Sequence, residues 1–145
     1  MLDKLSISCE FGEGWVTAEE IDKLGLAGAL RTGITRALAA LDVQIKEEII
    51  MDGKVNYVPT KFVNVKCLVD ADNLVPIVSA ASIYAKVKRD KYMTKLKKQY
   101  PGYGFENHVG YGTAVHKQAI TRFGVLSGVH RMSFKPLQGF SEAVR

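Results

Sequence analysis

An alternating apolar run that stops at a pair of acids constrains the fold of this chain most. Every second residue from Val63 to Val69 is apolar, the period of a half-buried strand, and the run ends at Asp70-Ala71-Asp72. A helix is predicted next, because Pro76 suits a first helical turn; we expect it to continue to about Tyr100. A strand, an acidic turn and a helix in this order are typical of α/β folds.

A second acid follows another apolar run upstream. Ile45 to Met51 is predicted to be a strand, and Asp52-Gly53 ends it. Asp-Gly after a strand is commonly only a turn, and an acid such as Asp72 before a helix is commonly a cap or a solvated side chain. Both acids nevertheless lie at strand ends, where ligands gather in α/β sheets, and paired carboxylates suit magnesium held over a phosphate.

The remaining pattern predicts one domain of alternating strands and helices over residues 1–145. Alternation from Leu5 to Phe11 predicts a strand. The capping-box pattern of residues 17–20 predicts a helix start, and the apolar positions of residues 30–41 predict a second helix. A helix over 113–123 is expected to be capped by its threonine and stopped by a glycine. Residues 135–145 are expected to form a loose tail.

Charge and cysteine content restrict the class of partner and the compartment. The formal net charge is +5 and the sequence pI is near 9.2, which favours a polyanionic partner. Cys9 and Cys67 are isolated and have no metal-ligand spacing, so reduced thiols and a cytoplasmic location are predicted. No apolar run has membrane-spanning length, so no membrane partner is expected.

The predicted long helix has a stripe of lysines along one face and small side chains near its start. Lysines recur at three- and four-residue spacing at Lys88, Lys91, Lys95 and Lys98. They form either a solvated helix face or a set of phosphate contacts. Ser79 and Ser82, within Ser-Ala-Ala-Ser, allow either close packing on a sheet or donation to phosphates.

Glycines and aromatic residues then alternate over residues 100–113. Such a segment presents rings that can stack on sugars and bases, although similar loops also close the edges of domains. The three histidines, His108, His116 and His130, have no spacing typical of a metal site, and each by itself is expected to be structural.

Several of these stretches, in this order, resemble ribonuclease HII. The matching segments are Gly14 to Asp22, Ile50 to Gly53, Val75 to Asp90, Tyr100 to Phe105, His108 to Thr113 and His130 to Phe134. The segment Val75 to Asp90 is similar to the family's Ser-Ala-Ala-Ser-Ile-x-Ala-Lys-Val-x-Arg-Asp helix almost residue for residue. The resemblance covers about residues 5–136.

The resemblance implies a ribonuclease H-like α/β fold with a mixed sheet flanked by helices. It also implies an endonuclease that hydrolyses the RNA strand of RNA–DNA hybrids and incises at ribonucleotides embedded in duplex DNA. The family's site combines four carboxylates with two divalent ions, magnesium or manganese, and leaves a 3′-hydroxyl and a 5′-phosphate. Its expected partners are therefore hybrids or ribonucleotide-containing duplexes.

The resemblance also assigns residues. Asp52 and Asp72 match two of the family's catalytic, metal-binding carboxylates, and Asp70 stands where the family usually has lysine. Tyr111 matches the tyrosine that stacks on the deoxyribose after the ribonucleotide. The expected nucleic-acid contacts are Tyr111, Ser79, Ser82, Lys88, His108 and Arg131.

The family's opening strand, Asp-Glu-Ala-Gly-Arg-Gly, has no match in these 145 residues. That strand carries the other two carboxylates and the backbone that senses the 2′-hydroxyl. We therefore expect the C-terminal part of such a domain, N-terminally truncated, monomeric, and inactive or weakly active alone. The alternatives are a non-catalytic fragment that binds hybrid duplexes, and a subunit that needs a separate N-terminal piece.

Overall fold

The computed structural model describes residues 9–137, 139 and 140. Five helices and two strands follow one another in this part of the chain, before a short 3-10 turn at Lys135–Leu137. The helices are α1 (Ala18–Ala40), α2 (Ala71–Leu74), α3 (Pro76–Gln99), α4 (Phe105–His108) and α5 (Ala114–Phe123), and the strands are β1 (Ile49–Asp52) and β2 (Val65–Leu68). None of these helices has both the length and the apolar character that a bilayer-spanning segment requires.

The chain divides into two compact units. The first, called here the sheet unit, comprises residues 1–16 and 24–85, and the second, the histidine unit, comprises residues 17–23 and 86–145. The helix α1 is interrupted at Gly25, whose φ of 68° and ψ of 171° leave the helical region. Glycine adopts this backbone at little cost, which explains the break predicted around this position.

The sheet unit is built on a parallel pair of short strands. β1 and β2 pair in register from Ile49 with Val65 to Asp52 with Leu68. The Gly53 amide continues the ladder by donating to the Leu68 carbonyl at 2.8 Å. The one-turn helix α2 then packs against β1. The carboxyl ends of both strands therefore meet at one edge, as the sequence pattern predicted.

The histidine unit encloses a connected core. Its buried members are Leu96, Tyr103, Phe105, Ala119, Ile120, Val125 and Leu126. Phe105 and Val125 are the largest side chains that are fully buried in the described part of the chain. The Tyr103 and Phe105 rings stack at 5.5 Å, and the Tyr103 hydroxyl donates to the Gly124 carbonyl at 2.8 Å. Burial raises the pKa of that phenol.

The structure refines the elements predicted from the sequence. The reciprocal bonds of the capping box are present between Thr17 and Glu20, and α5 ends at Phe123 before Gly124 as predicted. Both strands are shorter than predicted. The strand predicted from Leu5 to Phe11 lies partly outside the described residues, and residues 9–11 are not in a strand.

Three further predictions concern the C-terminal tail, the type of sheet and the number of domains. Within the predicted loose tail, residues 135–137 form the 3-10 turn, while residues 138 and 141–145 lie outside the described part. The predicted mixed sheet is a parallel pair within the described residues. The single domain over residues 1–145 stays a prediction.

Candidate functional site

Asp52 is the last residue of β1 and its carboxylate is tied to the turn that follows β2. The Asp52 Oδ1 atom accepts a hydrogen bond from the Ala71 amide at 3.0 Å. Ala71 is fully buried, whereas the Asp52 side chain is exposed. Because Ala71 directly precedes Asp72, the two predicted ligands are brought to the same edge of the strand pair.

Asp70 and Asp72 have different roles in the turn. Asp70 occupies the N-cap position of α2 with φ 56° and ψ 33°, and its side chain makes no capping bond. Asp72 lies inside the first turn of α2 and is half-buried. Asp72 precedes the long helix as expected, and the structure adds that it belongs to a separate one-turn helix that ends before Pro76. Asp72, rather than Asp70, lies inside this turn.

The chemistry of this edge fits a hard divalent cation held by few protein ligands. Carboxylate oxygens are what magnesium and manganese prefer, and magnesium is commonly held by one or two carboxylates together with water and phosphate oxygens. Across the described residues, no group of three or more histidine, cysteine, aspartate or glutamate side chains could hold a metal ion. The carboxylates of Asp52 and Asp72 have the chemistry of such ligands, and the described residues do not form a complete two-metal cage.

In the histidine unit, Tyr111 is presented to solvent from a strained segment. The Tyr111 side chain is 62% exposed. Two residues earlier, Val109 has φ 41° and ψ 39°, a left-handed backbone that β-branched residues rarely adopt. The Arg89 guanidinium lies 5.0 Å from the centre of the Tyr111 ring and donates to the Val109 carbonyl at 2.8 Å. An exposed ring beside a fixed cation suits a stacking contact with a sugar or base.

Three buried histidines lie beneath this segment, an arrangement that sequence spacing does not predict. Their exposed fractions are 5% for His108, 6% for His116 and 6% for His130. The His116 and His130 Nε2 atoms are 3.1 Å apart, and the His108 and His116 rings stack at 4.1 Å. The His108 side chain, expected among the nucleic-acid contacts, is thus not available for direct contact. It has the structural role that its sequence context also allowed.

Burial lowers the pKa of two of these histidines. The pKa of His130 falls to about 4, first because burial penalises the charged ring and then because His116 is close. Burial also lowers the pKa of His116, although its bond to the Tyr111 carbonyl acts in the opposite direction. Both rings are therefore neutral at pH 7.

Asp22 fixes the segment that contains Arg131. Its carboxylate accepts bonds from the Met132 amide at 2.7 Å, the Ser133 amide at 3.0 Å and the Ser133 hydroxyl at 2.6 Å. Burial alone would raise the pKa of Asp22, but these bonds outweigh it and lower the pKa. Arg131 is exposed, with its guanidinium 4.7 Å from the centre of the Phe134 ring. The sequence indicated Arg131 but not the acid that holds its neighbours.

The other predicted contacts lie along α3. Ser79 is half-buried and Ser82 is exposed, both within the sheet unit. Lys88 is half-buried in the histidine unit, while Lys91, Lys95 and Lys98 are exposed there. Lys97, off this stripe, pairs with Glu106 at 3.2 Å. The lysine stripe is thus a mainly exposed positive face.

Comparison with known proteins identifies the family. The family profile of ribonuclease HII matches residues 6–137. The chain belongs to the ribonuclease HII family. It is 40% identical over 139 residues to a ribonuclease HII of Coxiella burnetii, a match that covers 95% of this chain and 67% of that protein.

Two other relatives give the same picture. The ribonuclease HII of Dichelobacter nodosus is 40% identical over 133 residues, covering 92% of this chain and 66% of the relative. The ribonuclease HII of Dehalococcoides mccartyi is 38% identical over 140 residues, covering 97% and 64%. The chain thus spans about two thirds of the length of these relatives.

The resemblance read from the motifs is confirmed by this membership, as is an α/β fold of the ribonuclease H-like type. The ribonuclease HII family consists of hydrolytic ribonucleases that use divalent metal ions. For this member, the individual site residues and the identity of the metal stay predictions.

Proposed function

We propose that this chain supplies part of the active site of an endonuclease that hydrolyses the RNA strand of RNA–DNA hybrids and incises at ribonucleotides embedded in duplex DNA. The observation that carries the proposal is the Asp52 carboxylate, held 3.0 Å from the Ala71 amide next to Asp72, in a chain matched by the ribonuclease HII family over residues 6–137. The polyanionic substrate agrees with the net charge of +5.

In this proposal Asp52 and Asp72 hold a divalent ion, magnesium or manganese, at the phosphate that is cut. Such an ion, when bound, supplies Lewis acidity toward the phosphate and lowers the pKa of a water molecule. The bond from the Ala71 amide holds the Asp52 carboxylate in place, so that its side chain loses little entropy when an ion binds. The products are a 3′-hydroxyl and a 5′-phosphate.

Residues of the histidine unit bind the duplex. Tyr111 stacks on the sugar next to the ribonucleotide, and Lys88 and Arg131 contact phosphates, with Ser79 and Ser82 of the sheet unit as further donors. These contacts make the affinity fall as salt rises, because counterions are released from the phosphates on binding. Recognition of RNA also needs a contact to the 2′-hydroxyl, the group that distinguishes it from DNA.

We expect the 145-residue chain alone to be inactive or nearly so. Two carboxylates cannot clamp two ions, and no third metal-ligating side chain joins them among the described residues. Activity then requires the carboxylates of an Asp-Glu-Ala-Gly-Arg-Gly strand, which this sequence does not contain. A second polypeptide or a longer chain would have to supply them. In cells the substrate would be met in the cytoplasm.

Cleavage of a duplex that carries one ribonucleotide tests the proposal. The purified chain is incubated with magnesium or manganese, with and without a polypeptide that carries the Asp-Glu-Ala-Gly-Arg-Gly strand, and the ends of the product are analysed. We expect cleavage only in the mixture, and its loss in Asp52→Asn and Asp72→Asn. The exposed Asp42→Asn, distant in sequence from both ligands, is the matched control and should cleave normally.

A specific observation favours a second function, binding of hybrids without catalysis. The most exposed candidate contact, Tyr111, and three exposed lysines of α3 all lie in the histidine unit, outside the unit that contains both acids. Under this alternative, the chain binds the duplex equally well with or without magnesium, and Asp52→Asn has no effect. No cleavage in the mixture together with such binding would replace the first proposal by the second.

A further inference from the structure

Hydrogen bonds from the backbone and from histidine side chains hold the strained backbone around Tyr111. The Val109 amide donates to the Phe105 carbonyl at 3.0 Å, and the Tyr111 amide donates to the His108 carbonyl at 2.8 Å. Gly110 has φ 84°, and a Cβ atom there would lie 2.9 Å from the Met93 side chain. Strain of this kind persists only where the surroundings fix it, and it is common at functional sites.

Two histidine rings complete this support from the buried side. The Gly110 amide donates to His108 Nδ1 at 3.1 Å. The His116 Nδ1 atom lies 3.0 Å from the Tyr111 carbonyl, which also accepts from the Thr113 amide at 2.8 Å. The backbone on both sides of the Tyr111 side chain is therefore fixed by imidazole nitrogens.

The bonds determine the proton position on each neutral ring. The Leu126 amide donates to His130 Nδ1 at 2.8 Å, so the proton of His130 is on Nε2 and is donated to His116 Nε2. His116 must then carry its proton on Nδ1, and it donates this proton to the Tyr111 carbonyl. The bonds thus run in one direction from Leu126 to Tyr111.

The tautomer of His108 also follows from its hydrogen-bond partners, independently of the other two rings. Its Nδ1 accepts from Gly110, so its Nε2 carries the proton and donates to the Tyr103 carbonyl at 2.8 Å. Every ring nitrogen of the three histidines has a partner, and one tautomer of each ring satisfies all of the bonds. A protonated ring, or the other tautomer, would place two donors or two acceptors face to face.

We propose that His130, His116 and His108 are positioning residues, whose single set of tautomers fixes the Val109–Tyr111 backbone and so orients the Tyr111 ring for the nucleic acid. The orienting role rests on the proposed function, in which Tyr111 contacts the duplex. The decisive group is His116 Nδ1–H, because it joins the histidine pair to the Tyr111 carbonyl. His130 acts one step earlier by fixing the tautomer of His116.

Two substitutions at position 116 separate positioning from simple stability. The amide nitrogen of His116→Asn reaches the place of Nδ1 and keeps the bond to Tyr111, but loses the partner of His130. His116→Gln instead reaches the place of Nε2, so it keeps the partner of His130 and loses the bond to Tyr111. Both remove one bond from the same buried site, so each serves as the control for the other.

The test measures position and binding separately on the full 145-residue chain. Backbone position is measured from the NMR amide shifts of residues 109–111. Binding is measured by fluorescence anisotropy, with EDTA present, on a short DNA duplex that contains one ribonucleotide. We expect His116→Asn to keep the shifts and to bind within about twofold of the parent. His116→Gln should move the shifts and lose about fivefold or more, as Tyr111→Ala does, since stacking contributes ~1–3 kcal/mol per base.

The outcomes distinguish the two proposals. If both variants move the shifts equally, in step with their loss of thermal stability, the histidines are only structural and the positioning role is wrong. It is also wrong if neither variant moves them. If His116→Gln moves the shifts while Tyr111→Ala binds as tightly as the parent, the positioning of the backbone stands. The role of Tyr111 in binding the duplex then fails.

Discussion

The two units of this chain differ in the buried core that each contains. The histidine unit buries a connected aromatic and aliphatic core around Phe105, and the ring nitrogens of its three histidines are all paired. The sheet unit has smaller buried groups, such as Ala29, Ala71 and Ala80, around a strand pair of four residues each. Among the described residues, its apolar side chains Val63, Leu74 and Ile77 are all more than half exposed.

This difference corresponds to a difference in what each unit can do by itself. The histidine unit presents Tyr111 from a backbone that is already fixed, so it needs no partner to form that surface. The sheet unit presents two carboxylates from a pair of short strands, and two strands are the whole of the sheet among the described residues; a two-stranded sheet normally needs further packing to be stable. We therefore expect that binding of the duplex depends less than catalysis on additional strands or a second polypeptide.

Removal of one phenyl ring from each unit should give the largest effect. Phe105 is 1% exposed and Phe62, in the sheet unit, is 7% exposed. Phe105→Ala should destabilise the histidine unit by about 3–5 kcal/mol, because its close surroundings cannot fill the cavity, and Phe62→Ala should cost the sheet unit less, because Phe62 is the less buried of the two. Hydrogen exchange followed by mass spectrometry, peptide by peptide, measures the stability of each unit.

The same experiment can overturn the comparison. If amides of the sheet unit exchange more slowly than those of the histidine unit in the unsubstituted chain, the difference in packing does not translate into stability. Equal losses for both substitutions would mean that the sheet unit has a core as rigid as that around Phe105. Leu24→Ala, at an exposed site of the sheet unit, should leave exchange unchanged and serves as the control.

Acid should weaken the histidine unit first. The pKa of His130 is about 4 in the folded chain and near 6.5 when unfolded, so below pH 6.5 the unfolded state binds the proton more readily. Stability is therefore complete above pH 6.5 and declines as the pH falls toward 4, by ~3 kcal/mol in total. Below pH 4 His130 is protonated in both states and adds no further loss. Urea unfolding across this pH range measures the decline.

The neighbouring ionisable groups and a substitution identify the source of this decline. His116 and His108 both disfavour a charge on His130, and the Tyr103 ring lies 5.8 Å away. Burial also lowers the pKa of His116, so His116 contributes to the same decline. The lowered pKa of Asp22 also makes stability fall in acid, but only around and below its usual value of 3.8. His130→Asn, which can still accept from Leu126, should be less stable at pH 7 and lose most of the slope between pH 6.5 and 4. An unchanged slope would assign the decline to other groups.

The features predicted best from the sequence are those that depend on interactions between residues close together in the chain. The limits of α5 follow from Thr113, whose hydroxyl accepts from the His116 amide at 3.3 Å, and from Gly124 with φ 84°. The capping box at Thr17 is equally local. Asp52 and Asp72 were placed at one sheet edge because parallel strands that follow each other closely often pair.

Bonds between distant positions could not be predicted in this way. The strand predicted from Ile45 is shorter because, within the described part of the chain, residues before Ile49 have no strand partner. One bond joins the Val63 amide to the Ile45 carbonyl there, at 3.4 Å. The histidine bonds depend on Leu126 and Tyr111 approaching opposite ends of a ring pair, which spacing does not encode. Likewise, nothing near Asp22 in sequence indicates Ser133.

Substitutions at the beginnings of two helices, one in each unit, should give the smallest changes in stability. Thr113 caps α5 with its side chain, whereas Asp70 begins α2 without a side-chain bond and with φ 56°. Thr113→Ala should cost about 1 kcal/mol, and Asp70→Asn should change stability by less than about 0.5 kcal/mol, because asparagine also tolerates the left-handed region. Urea unfolding measures both. Asp70→Ala is the control that loses this tolerance and should cost about 1 kcal/mol or more. A loss in Asp70→Asn as large as that in Thr113→Ala would show that the Asp70 charge stabilises the turn before Asp72, and the two helix starts would then not differ in how strongly they are capped.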